Sequence, residues 1–134
     1  MKKTNFIPPY NYSGQTTFRA ANKRSGVYLI KENSKLVYVG MSVSNLYRTL
    51  YRHFETWNHR SQQVVSYKDN LDKKKYTVRV VYCTPKQTVS LEKALIIKHK
   101  PRDNDNKYTQ YKLIQYDKDN VSNYNEVEEV EVPF

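Results

Sequence analysis

Glu92 is the only acidic residue between Asp72 and Asp103, and it sits in an otherwise apolar and basic stretch. Earlier in the chain Arg48, Arg52 and Glu55 follow one another at spacings of four and three, which places them on one face if that stretch is helical. A carboxylate that holds a hard divalent cation, together with an arginine fork, suits a phosphate ester. Hydrolysis of such an ester needs an activated water, positive charge on the pentavalent phosphate and a stabilised leaving oxygen, and a cation contributes to all three. A guanidinium adds geometry as well as charge. The bland alternative for Glu92 is a solvated side chain beside Lys93. If it faces inward instead, its charge needs a partner, and Mg²⁺ would be one.

The elements that must carry these groups follow from local patterns. Gly26-Val27-Tyr28 and Tyr38-Val39-Gly40 are spaced like the two strands of a hairpin and hold two of the three glycines. The stretches 27–31 and 36–39 are β-rich, with hairpin-loop residues Glu32-Asn33-Ser34-Lys35 between them. Ser44 or Asn45 can cap a helix whose apolar stripe is Leu46, Leu50, Phe54 and Trp57. A polar stretch, 58–75, leaves room for a short helix around 62–71. Residues 76–83 predict a third strand by their β-branched and aromatic content. Thr84-Pro85-Lys86-Gln87 is a capping box with Pro at the first helical position. Its helix should run through Leu91, Ala94, Leu95 and Ile97 and must stop before Pro101. The expected fold is a small α/β domain over 26–106, a three-stranded antiparallel sheet flanked by helices. An irregular arm (1–25) precedes it, and an extension (107–134) with an acidic, disordered tail follows.

Composition agrees with one compact domain. Charge is +10 overall, from 23 Lys and Arg against 13 Asp and Glu, but it is unevenly spread. Residues 1–106 hold twenty bases and seven acids, whereas 107–134 hold three lysines and six acids. A basic body with interleaved tyrosines and arginines fits a nucleic-acid backbone and exposed bases; solubility alone is the competing use of such charge. Cys83 is the single cysteine, which excludes an internal disulfide and a cysteine-based zinc site. It is expected to be a buried, inert thiol. No apolar run is long enough to cross a membrane, and Lys2-Lys3 is not followed by a signal-peptide core, so the expected location is cytoplasmic.

The two tripeptides, the arginine-bearing helix and the isolated glutamate occur in the order found in the GIY-YIG nuclease family, which the chain resembles over roughly residues 25–106. The segment from Glu92 through Ile96-Ile97-Lys98-His99-Lys100-Pro101-Arg102 to Asn104 is similar in spacing and type to the nuclease domain of the bacterial excision-repair incision subunit. The resemblance implies a metal-dependent DNA endonuclease using Mg²⁺ or Mn²⁺. It implies Tyr28 as general base, Tyr38 as the group orienting phosphate or water, Glu92 as metal ligand and Asn104 as the residue closing the site. Counting from Gly40, the arginine that contacts the scissile phosphate falls on Arg48. Aligning the helix by its apolar residues puts Thr49 there instead, with Arg52 in reserve. His53 resembles a helix histidine used by some members but falls one residue late by that count, and a surface role is its alternative. Lys98, Lys100 and Arg102 are candidate DNA contacts, while His59 and His99 carry weaker signals.

The last residues carry a separate pattern. Glu126, Glu128, Glu129 and Glu131 lead into Val132-Pro133-Phe134, which resembles the tip of bacterial single-stranded-DNA-binding proteins. That tip implies a protein partner with a basic pocket and an apolar slot for Pro133-Phe134. An acidic tail that only solubilises the chain is the alternative. With one site per chain, a clean double-strand cut requires a homodimer or two successive nicks. The sequence therefore predicts a nicking, structure-selective or single-strand-selective enzyme. A compact restriction or homing enzyme and a non-catalytic nucleic-acid-binding module are the rivals.

Overall fold

The computed structural model of the protein describes residues 2–55 and 65–104. Trp57, His59, the first part of the stretch around 62–71, the end of the 26–106 domain and the whole acidic tail with its Pro133-Phe134 tip lie outside the described residues.

Strand β2 (Gly26–Glu32) is the centre of the sheet, paired antiparallel with β3 (Lys35–Ser42) on one side and β4 (Tyr76–Tyr82) on the other. Glu32 pairs with Lys35, so the loop is only Asn33-Ser34, both at positive φ (51° and 69°). Two positive φ values are the signature of the type I′ turn, whose twist matches that of the strands. Ile30 faces Tyr38 but Lys31 faces Leu36, which leaves Val37 as an extra residue on β3. This bulge lets Val37 and Val39 enter cores on opposite faces of the sheet.

A fourth strand, β1 (Lys2–Lys3), completes the order β1-β4-β2-β3 and extends the expected three-stranded sheet. The arm is thus part of the sheet. Lys2 pairs with Tyr82, and Ile7 and Val78 exchange backbone hydrogen bonds at 3.0 and 2.8 Å. Two residues are too few to show a hydrophobic period, so nothing local announces this strand. What creates it is the open edge of β4, whose unpaired amides and carbonyls need partners.

Alternation along β2 builds two cores. Tyr28 and Ile30 meet Leu46, Leu50 and Phe54 on one face, while Val27 and Leu29 meet Leu91, Leu95 and Ile96 on the other. Helix α1 (Leu46–Tyr51) covers the first face and is capped by Asn45, whose side chain accepts from the Arg48 amide at 3.2 Å. It is shorter than the 46–57 stripe suggests. After Tyr51 the bonds tighten to three-residue closures, His53 to Leu50 (3.1 Å) and Phe54 to Tyr51 (3.0 Å). His53 and Phe54 are both buried there.

Helix α2 (Pro85–His99) covers the second face. Its capping box is formed as expected, with Thr84 Oγ1 accepting from the Gln87 amide (3.3 Å) and Gln87 Oε1 from the Thr84 amide (3.0 Å). It ends at Lys100, left-handed at φ 46°, just before Pro101. Ile96 is buried and Ile97 only half-buried. From the 62–71 stretch the described part shows a 3₁₀ turn, Lys68–Asn70. Cys83 is half-buried instead of buried, and burial pushes its thiol up to about 11. No helix among the described residues is long and apolar enough to cross a membrane.

Candidate active site

Tyr28 lies opposite Gly40 and Tyr38 opposite Ile30, so the two tyrosines are diagonal neighbours on one face of the β2–β3 hairpin. Their rings stack with centroids 6.1 Å apart and planes at 23°. The glycine of the second tripeptide has a steric cause. A Cβ on Gly40 would stand 2.3 Å from both Cζ and Oη of Tyr28. Gly26 is constrained as well, since its Cβ would meet the Val81 carbonyl at 2.2 Å.

His53 closes this pair from the turn that follows α1. It is 2 % exposed, its ring centroid is 4.6 Å from Tyr38 and 5.5 Å from Tyr28, and Nε2 is 2.7 Å from the Tyr28 hydroxyl. Its Nδ1 lies 2.6 Å from the Val65 carbonyl. A carbonyl only accepts, so Nδ1 carries a proton. In the neutral ring Nε2 then bears the lone pair and accepts from Tyr28. Burial, followed by the charges of Tyr38 and Glu92, holds the Tyr28 phenol well above its ordinary range. At neutral pH Tyr28 is thus a phenol with an acceptor beside it.

Glu92 is 1 % exposed, on the buried side of α2 between Leu91 and Leu95. The inward alternative holds, and its charge reaches Tyr28. No cluster of three or more His, Cys, Asp or Glu occurs among the described residues. The chemistry of the donor set, one buried hard carboxylate whose charge acts on the Tyr28 phenol, fits a Mg²⁺-type ion that completes its shell with water and substrate phosphate.

Asn104 is buried and spends its amide on the edge strand: Oδ1 accepts from the Val39 amide (2.8 Å) and Nδ2 donates to the Val39 carbonyl (2.9 Å). It acts as a one-residue partner strand. It holds β3 in place between Tyr38 and Gly40 and does not present its amide to the site.

The arginines are placed differently from the count along the sequence. Arg48 is exposed and Arg52 half-buried, and both line a surface cavity on the outer side of α1. Arg48 lies within α1, whereas Arg52 directly precedes His53 in the tighter turn beyond it. Shifting the register by one residue, so that Thr49 takes the arginine's place, also removes the offset of His53. The burial of His53 against Tyr28 favours that register. Lys98 and Lys100 are exposed at the end of α2, where cations also complement the helix dipole.

Arg102 belongs to a network that no local pattern signals. Its guanidinium forks onto Glu32 (3.1 and 3.2 Å) and onto Asp103 (2.8 and 2.9 Å). A DNA phosphate there would compete with two carboxylates. Glu32 also accepts from Tyr76 (2.8 Å) and Lys74 (3.3 Å). Arg102 foremost, then Tyr76 and Lys74, outweigh the cost of burial and hold the Glu32 carboxyl down to about 2. Tyr67 donates to Asp103 (2.7 Å), and its ring lies 6.1 Å from His53. Tyr67 thus ties the back of the histidine to the segment carrying Asn104. It stands in a polar stretch without periodicity, so no signal in the sequence could have found it.

The chain is similar in sequence to known proteins over the region that carries these residues. UvrABC system protein C of Thermosipho africanus is 31% identical over 83 residues, which cover 62% of this chain and 14% of that protein. The chain therefore spans only a small part of that relative's length. No solved structure matches the chain. The family model described as the GIY-YIG catalytic domain matches residues 24–109, a range that takes in both tripeptides, His53, Glu92 and Asn104. With the stacked tyrosine pair, the glycine beneath it and the buried glutamate all inside that match, the chain belongs to the GIY-YIG family of nuclease catalytic domains.

Proposed function

We propose that this chain hydrolyses DNA phosphodiester bonds with the help of Mg²⁺ or Mn²⁺ and cuts one strand at a time. The observation that carries the reading is the buried Tyr28–His53 hydrogen bond, with the equally buried Glu92 acting on Tyr28 through its charge. As a water attacks phosphorus, Tyr28 Oη takes its proton while the phenolic proton passes to His53 Nε2. The Val65 carbonyl, bonded to Nδ1, then faces an imidazolium it can stabilise. This relay lets a phenol too weakly acidic to ionise serve as a base. Tyr38, half-exposed beside it, orients the water or a phosphate oxygen. Glu92 would hold the cation, which when bound polarises the phosphate and stabilises the leaving oxygen. Arg52, the half-buried arginine next to His53, is the favoured phosphate contact, with Arg48 farther out along the strand. The basic body supports a DNA substrate, and one such site per chain supports nicking.

Supercoiled plasmid and labelled single-stranded DNA, incubated with Mg²⁺, Mn²⁺ or EDTA, test the reading. Open circles should appear before linear DNA, and only with metal. Glu92→Gln should lose at least ~10²-fold in rate, as loss of one essential element does, and keep DNA affinity. Cleavage that persists in EDTA and in Glu92→Gln would reject the metal role. Binding without cleavage under every condition would favour a non-catalytic module.

A further inference from the structure

The surface formed by α1 and the turn that follows it carries two adjoining cavities of about 470 and 300 Å³ that share Tyr47, Tyr51 and Glu55 as their common wall. We propose that this cleft binds an unstacked nucleobase of the DNA strand next to the cut, with Tyr47 and Tyr51 as its stacking platform. The inference rests on the nuclease reading above and adds to it a site for the substrate's flanking nucleotide.

The platform is built before any ligand arrives. Tyr47 and Tyr51 stack with centroids 5.7 Å apart and planes at 23°. The Tyr47 hydroxyl pairs with Thr16 Oγ1 at 3.1 Å, and its ring leans on Phe18 at 5.4 Å. Glu55 accepts from Tyr10, which comes from the arm, and lines both cavities beside Tyr51. The arm and α1 thus immobilise two aromatic side chains at a surface, which lowers the entropic cost of stacking a base on them. Tyr51 remains 36 % exposed, although a tyrosine with no other duty could have been covered by the arm that already surrounds it.

The chemistry around the platform matches a nucleotide. Arg48 and Arg52 border the larger cavity and Arg19 the smaller, so phosphates on either side of a stacked base would meet a guanidinium. Asn22 and Asn45, joined by a 3.0 Å amide hydrogen bond, form the far wall of the larger cavity and offer polar groups to a base edge. Both volumes lie in the range of small-molecule pockets. His53 lies two residues beyond the helix that carries the cleft, and a helix is about 10–12 Å across. A base held there is within a few nucleotides of the reacting phosphate. A duplex keeps its bases stacked inside, so occupation of the cleft favours single-stranded, mismatched or distorted DNA.

The test is equilibrium binding of a short labelled single-stranded oligonucleotide in EDTA, at fixed salt, combined with abasic sites placed at each position in turn. Wild-type affinity should fall roughly 5- to 100-fold at one or two positions, the range for base stacking on an aromatic side chain. Tyr51→Ala should weaken the intact oligonucleotide by a similar factor and be insensitive to abasic substitution at those same positions. Tyr51→Phe should retain most of the affinity. Arg48→Ala should weaken every oligonucleotide alike and flatten the salt dependence. A uniform abasic profile, or a Tyr51→Phe variant as weak as Tyr51→Ala, would overturn the proposal. If the protein cleaves DNA while Tyr51→Ala binds it as wild type does, the cleft alone fails; if wild type neither binds nor cleaves DNA, the nuclease reading fails first.

Discussion

Adding one methyl group at Gly40 should disable the site without replacing a catalytic side chain. The new Cβ of Gly40→Ala would stand 2.3 Å from Cζ and Oη of Tyr28 and 2.8 Å from Cε2. Carbon atoms come to rest at about 3.5–4.0 Å, so the ring must retreat by about 1 Å or more. His53 cannot follow, because Val65 holds its Nδ1 at 2.6 Å and the Tyr38 ring lies 4.6 Å away. The 2.7 Å bond between Tyr28 and His53 is then lost or lengthened. A displacement of about 1 Å in a catalytic constellation costs about 10²-fold in rate, and overpacking of this kind costs about 1–3 kcal/mol in stability. Plasmid nicking and urea denaturation measure the two effects separately. In a Tyr28→Ala background the three nearest clashing atoms are gone, so the stability cost should fall sharply, giving a coupling of about 1–3 kcal/mol. Gly14→Ala is the control: its Cβ meets nothing within 4 Å but its φ is +76°, so it should lose about 1 kcal/mol to backbone strain and keep its activity. Wild-type nicking by Gly40→Ala, or an equal stability cost with and without Tyr28, would refute the steric account.

Three further outcomes follow from the same geometry. Tyr28→Phe and His53→Ala should each lower nicking by at least ~10²-fold, and the double variant should be little worse than either single one, because the two residues act as one relay. Arg52→Ala should reduce the cleavage rate more than Arg48→Ala, whereas Arg48→Ala should act mainly on affinity and its salt dependence; the reverse ranking in single-turnover kinetics would restore the register counted from Gly40. The Glu32 carboxyl is held down from 4.5 to about 2, chiefly by Arg102, so it contributes stability that is present above pH 4.5 and lost as pH falls toward 2. Glu32→Gln should flatten that acid limb in urea titrations at stepped pH, and an unchanged limb would mean the pairing is not formed in solution.

Local chemistry carried much of this protein into view before any fold was known. The capping box at Thr84 and Gln87, the stop before Pro101, the hairpin reversal between β2 and β3 and the alternation that sends Tyr28 and Ile30 one way and Val27 and Leu29 the other all depend on neighbours in sequence. The two tripeptides were legible for the same reason. A glycine opposite a tyrosine across a hairpin is a local packing requirement, and together with Glu92 it pointed to the family. Tertiary structure decided the rest. Asn104 meets Val39 across 65 residues, Tyr67 meets Asp103 across 36 and His53 meets Tyr28 across 25; none of these pairs leaves a periodic trace. The short strand at Lys2–Lys3 exists because the edge of β4 needs partners, and the arm reaches α1 because Glu55 accepts from Tyr10. Whether Arg48 or Arg52 faces the phosphate turns on where α1 tightens before His53. A count along the chain cannot supply that angle, since one residue of register rotates a side chain by about 100°.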